Sequence, residues 1–167
     1  MHTPQLRNTL PVLAVAVLLG AVVLFGSHRA APPIAVAAQD DFAGLIDIGD
    51  GRRRLYFECR GTGSPTVVLE AGYRGSARVW SEDFRQLEPP RTMVLAGVAA
   101  FTRVCAYDRP GTVAPPNDNV RPSRSDPVPQ PRTAPDAVAD LHTLLRAAGV
   151  PGPYVLAGHS LGGLSVG

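Results

Sequence analysis

The apolar positions of this chain fall into short runs of different period, and each period predicts a different element. Leu45 to Gly61, LIDIGDGRRRLYFECRG, alternates apolar and polar residues on either side of Asp50-Gly51, a dipeptide suited to positive φ. That pattern predicts two short strands around a turn. After the break GTGSP, Thr66 to Glu70 (TVVLE) is a β-branched run without alternation, which suits a strand covered on both faces inside a parallel sheet. Trp80, Phe84 and Leu87 recur at helical spacing, Pro89-Pro90 breaks the pattern, and MVLAGVAAF up to Phe101 predicts a further helical turn or two. Arg103 to Tyr107 (RVCAY) reads as a strand ending at the turn signal Asp108-Arg109-Pro110-Gly111.

From Thr112 to Arg132 the chain is crowded with proline, serine and asparagine and has no hydrophobic period, which predicts a long solvent-facing loop. A helix with clear ends follows. Thr133 can cap it, Asp136 stands at its third position, Val138, Leu141, Leu145 and Ala148 share one face, and Gly149 stops it. Tyr154 to Ala157 is then an apolar strand running straight into Gly158. Strands alternating with helices predict an α/β fold, a mostly parallel sheet flanked by helices, with binding sites beyond the carboxyl ends of the strands. Ser160 lies at such an end.

The first 38 residues have a different character. Arg7 precedes an apolar stretch from Leu10 to Phe25, and Ala35-Val36-Ala37 supplies the small residues that a signal peptidase accepts. As a helix the stretch would reach about 24 Å, short of the ~30 Å hydrocarbon core, and Pro11 and Gly20 weaken it. Residues 1–38 are therefore expected to be a signal peptide or an N-terminal membrane anchor attached through residues 10–26. Either leader predicts export, with residues 39–167 secreted, in the cell envelope, or anchored outside the cytoplasm. Export permits disulfides, and Cys59 and Cys105 are open to two readings: buried thiols in neighbouring strands, or a bonded pair.

Composition narrows the chemistry. The 167 residues are 45% hydrophobic and 18% charged with a net charge of +2, which excludes a disordered chain and a nucleic-acid partner. Every basic residue is arginine, and the absence of lysine excludes a phosphate-binding P-loop lysine and a Schiff base.

The stretch GPYVLAGHSLGGLSVG carries the candidate chemistry. A strand that turns within two or three residues into a helix forces the side chain between them into a strained, exposed position, and small residues two places before and after relieve the crowding. Gly158 and Gly162 hold those places around Ser160, and Gly163 adds a small residue where the new helix is expected to pass close to the sheet. At the helix start the N–H of Leu161 is available to a developing oxyanion.

GHSLGG after an apolar strand resembles the nucleophile elbow of the α/β-hydrolase family. LEAGYRG resembles that family's turn after the third strand, which supplies a second oxyanion donor, and VCAYDRPGT resembles the turn after the fourth. The resemblance runs from about Ile46 to the last residue. It implies that Ser160 is the nucleophile, that the backbone N–H groups of Leu161 and Tyr73 form the oxyanion hole, and that a small-molecule ester, amide or related acyl compound is cleaved without metal or organic cofactor. This chain has Ala71-Gly72 where family members often have His-Gly, so Tyr73 rests on the glycine and the strand end. Serine at the elbow sets the chain apart from the family branches in which an aspartate attacks.

A serine hydroxyl needs a histidine to accept its proton, itself oriented by a carboxylate. His2 and His28 belong to the leader, His142 falls toward the solvent side of its helix, and His159 points away from its neighbour Ser160. Asp108 is expected to brace its turn with Arg109, and Glu70 to be structural. The family order of serine, acid, histidine implies that both partners follow Gly167, and that this chain is an inactive N-terminal fragment with an uncovered sheet edge. The alternative is a noncatalytic exported or membrane-anchored binding protein, or a pseudoenzyme, that keeps the fold.

Overall fold

The computed structural model describes residues 41–49, 51–110 and 122–165; the leader lies outside them. Strands β1 (Phe42–Asp47) and β2 (Arg54–Arg60) form the antiparallel hairpin predicted around Asp50-Gly51. β3 (Thr66–Glu70) is followed by the short helices α1 (Arg78–Ser81) and α2 (Val94–Ala99), then by β4 (Val104–Tyr107). The capped helix α3 (Ala134–Ala147) leads to β5 (Tyr154–Gly158) and a 3₁₀ segment, Ser160–Ser165.

The sheet order is β1-β2-β4-β3-β5. β4 and β5 both pair with β3 in parallel, whereas β2 is antiparallel to β1 and to β4. The expected mostly parallel sheet is therefore mixed. The reason is the hairpin: a short connection can join only antiparallel neighbours, so β2 is turned against the strands that α-helical crossovers bring back in parallel.

Alternation sorts the side chains into two layers. Leu55, Phe57, Cys59, Val68, Cys105 and Tyr107 face α3, where Leu141, Leu144, Leu145 and Ala148 complete one core. Leu69, Val104 and Ala106 face the other way, onto Ala77 and Leu95 of the α1–α2 layer. TVVLE is thus covered on both faces, as its unbroken apolar run predicts. Cys59 and Cys105 stand opposite each other across β2 and β4, fully buried and joined as a disulfide.

Thr133 caps α3 through a reciprocal box with Asp136, and Gly149 closes it at φ +64°. The buried stripe differs from the prediction at one end: Val138 is exposed, and Leu144 takes a place on the inner face. Trp80, Phe84 and Leu87 do not share a helix. α1 ends at Ser81, where Glu82 turns extended, and the Asp83 carboxylate then accepts from the Arg85 N–H and from Arg91 in a separate turn; Phe84 and Leu87 are exposed. Residues 122–132 have no regular structure, as predicted, yet they are not a plain solvent loop. Ser125 is buried, Asp126 binds the Arg54 guanidinium and Arg124 reaches Asp108.

Candidate active site

β5 reaches the carboxyl end of the sheet at Gly158, and the His159 N–H donates to the Glu70 carbonyl at 3.0 Å. The next residue, Ser160, is exposed with φ +53°, in the left-handed region that a serine occupies only under constraint. The backbone then folds back: Gly162 N–H donates to the His159 carbonyl at 3.0 Å. Close approach explains the flanking glycines. A Cβ on Gly158 would lie 2.6 Å from the Gly162 carbonyl carbon, and one on Gly162 would lie 2.5 Å from the Glu70 carbonyl oxygen. Two sequence expectations change here. The segment after Ser160 is 3₁₀ over its described length rather than α, and a Cβ on Gly163 would meet open space, so the close passage belongs to Gly162 alone.

The turn after β3 borders this serine. A Cβ on Gly72 would sit 3.1 Å from the Ser160 Cβ and 3.0 Å from the His159 Nδ1. Tyr73, next in the chain, is exposed, and Arg74 after it has φ +56°. Tyr73, Arg109, Thr133, Ala137, Leu161 and Leu164 are among the residues that line a cavity of about 230 Å³ beside the elbow. The structure therefore brings together the three residues singled out in the sequence: Ser160, Leu161 and Tyr73 lie on two abutting turns.

Two buried carboxylates stand where β3 and β4 end, Glu70 and Asp108. Asp108 accepts from the Ala77 N–H at 2.8 Å and from three Arg124 donors, N–H, Nε and Nη2, each at 2.9 Å. Its expected partner Arg109 is bound elsewhere. Arg124 comes from the proline-rich loop and also stacks on the Tyr56 ring, 3.3 Å from its centroid. Arg109 binds the Glu70 carboxylate and the carbonyls of Ala71 and Gly72. Burial pushes Glu70 above the usual carboxylate range, against the opposing pull of Tyr107 and Arg109. Burial, with the Glu70 carboxylate beside it, likewise pushes the Tyr107 phenol up.

Neither described histidine is placed as a base for Ser160. His142 is on the exposed side of α3, and the His159 ring packs edge-on against Trp80 with centroids 6.3 Å apart. His2 and His28 lie outside the described residues. Among the described residues no cluster of three or more His, Cys, Asp or Glu could hold a metal ion.

A mixed sheet clad by helices on both faces, with a serine at positive φ where its last described strand turns back, defines an α/β protein with a sharp strand-to-helix turn at the carboxyl end of its sheet. Residues 67–167 match the model of the Alpha/beta hydrolase family, and the chain belongs to that family. It is 30% identical over 125 residues, 74% of its own length, to the Probable transporter efuK of Hormonema carpetanum, and spans 15% of that protein. A hydrolase from Pseudomonas aeruginosa PA01 superposes with a TM-score of 0.53 at 21% identity, over 74% of this chain and 38% of that one. The epoxide hydrolase CorEH gives a TM-score of 0.52 at 19% identity, over 75% and 35%. At these identities the two structures share the fold. The chain spans well under half the length of each of these three relatives.

Proposed function

We propose that the full-length protein is a serine hydrolase that cleaves ester, amide or related acyl bonds of small molecules through an acyl-enzyme on Ser160. The observation that carries this reading is the left-handed backbone of an exposed Ser160 at the end of β5, with its Cβ beside the Gly72 turn. In the first half-reaction Oγ attacks the substrate carbonyl carbon and its proton passes to a base. The carbonyl oxygen becomes an oxyanion held by the N–H groups of Leu161 and Tyr73, and the leaving group departs with that proton. Water then attacks the ester on Ser160, releasing the acid and restoring the hydroxyl. This chemistry uses no metal or organic cofactor.

The base and its carboxylate partner are not supplied by His142, which stands on the exposed side of α3, by His159, whose ring packs on Trp80, or by Asp108, which is taken up by Ala77 and Arg124. The reading therefore assigns them to sequence after Gly167 in the full-length protein, and assigns residues 39–167 alone no more than residual activity. Residues 1–38 are read as the export leader, cleaved or retained. The buried Cys59–Cys105 disulfide supports an oxidising compartment. Hydrolysis of a short-chain nitrophenyl ester by the full-length protein is expected to fall at least about 1000-fold in Ser160→Ala. Undiminished turnover in that variant would reject the assignment. No turnover in the unsubstituted protein would favour a binding protein that keeps the fold.

A further inference from the structure

The Arg109 guanidinium occupies the end of β4 directly below the turn that follows β3. Its Nη1 donates to the Glu70 carboxylate and, at 2.7 Å, to the Ala71 carbonyl, while its Nη2 donates to the Gly72 carbonyl. The same Gly72 oxygen receives the Gly75 N–H at 3.0 Å. Gly72 C=O and Tyr73 N–H belong to one peptide unit. That unit is planar and trans, so its oxygen and its hydrogen point in opposite directions, and fixing one fixes the other. A cationic donor on the oxygen also polarises the unit, which makes its N–H a stronger donor. The peptide borders the nucleophile, because a Cβ on Gly72 would lie 3.1 Å from the Ser160 Cβ.

We propose that Arg109 is a positioning residue for the oxyanion hole, holding the Gly72–Tyr73 peptide so that its N–H faces the oxygen of an acyl group on Ser160. The inference rests on Ser160 as nucleophile and adds what aims the second donor. Glu70 fixes the far side of the guanidinium. It is almost fully buried, and its own backbone oxygen packs against Gly162 of the elbow, so one clamp refers both turns to the same strand end. The fork of the guanidinium is what spans two carbonyls and a carboxylate at once; an ammonium cannot match it.

The test uses the full-length protein and a fluorophosphonate carrying a fluorophore, with the labelled residue located by peptide mass spectrometry. The second-order labelling rate at Ser160 is expected to fall about 100-fold in Arg109→Ala and about 10-fold in Arg109→Lys, in line with loss of one oxyanion donor. With a nitrophenyl ester, kcat is expected to fall by the same factors while KM stays within about 3-fold, because the donor acts on the transition state. A trifluoromethyl ketone, whose adduct carries the oxyanion, is expected to lose affinity in step with kcat. All rates are taken below the melting onset of the least stable variant, and if Arg109→Ala does not fold, Arg109→Lys decides. A folded variant with wild-type labelling rate, or one whose loss lies in KM with ketone affinity unchanged, overturns the inference. Wild-type protein that is not labelled at Ser160 removes the nucleophile reading and this inference with it. Labelling at Ser160 that is indifferent to Arg109 removes only the inference.

Discussion

The two sides of the sheet obey different rules. On the hairpin side, β1 alternates, and one face is sealed against α3: Leu55, Phe57 and Cys59 of β2 are fully buried, while Ala43, Leu45 and Asp47 of β1 turn to water. On the elbow side, Tyr154, Val155 and Leu156 form an unbroken apolar run like that of β3, yet all three are exposed. The same sequence pattern thus has two outcomes. β3 lies between β4 and β5 with helices over both faces, whereas β5 stands at the end of the described sheet and pairs with β3 on one side. The candidate nucleophile stands on the less buried strand, held by glycine contacts rather than by a core of its own.

The largest expected contrast comes from truncating one apolar side chain on each side. In the protein ending at Gly167, Phe57→Ala is expected to cost about 3–5 kcal/mol, as for a buried aromatic, and Leu156→Ala under about 1 kcal/mol. Urea unfolding of the two variants measures both, and equal losses would erase the distinction between the sides. The disulfide belongs to the hairpin side and spans 46 residues of sequence. Replacing both cysteines by alanine is expected to cost about 3–4 kcal/mol, read as a lowered unfolding midpoint.

The smallest effect is on pH dependence, and it sets a carboxylate from each side against the other. Burial pushes both Glu58 of β2 and Glu70 of β3 above the usual range, countered at Glu58 by Arg124 and Arg60. A carboxyl with a raised folded pKa binds more protons folded than unfolded. Its contribution is present below the unfolded value of about 4.3 and is lost as pH rises through the folded one. Glu58→Gln and Glu70→Gln are each expected to flatten the fall in stability as pH rises above about 4.3. A slope unchanged in both would show that neither carboxylate is held in its protonated form.

Much of this was legible because it is local. Asp50-Gly51 marks the hairpin, Thr133 with Asp136 and Gly149 marks both ends of α3, and Gly158 and Gly162 frame the turn at Ser160. What escaped depends on partners brought from afar. Arg124 lies 16 residues from Asp108 in a stretch without period, so adjacency made Arg109 look like the partner. Periodicity placed Phe84 and Leu87 on a helix that ends at Ser81. Nothing in the pattern of β2 says that β4 will pair with it. The Arg109 clamp was equally silent: its targets are main-chain oxygens, and every residue type has one.

The environment of Asp108 carries a chemical restriction of its own. Each carboxylate oxygen receives two N–H groups, in a place with no access to solvent. An asparagine there would turn a donor toward donors and strand at least two of them, and a glutamate would carry its oxygens one methylene too far. Position 108 is thus reserved for a short anion, and the reservation is enforced from four directions by nitrogen rather than by shape.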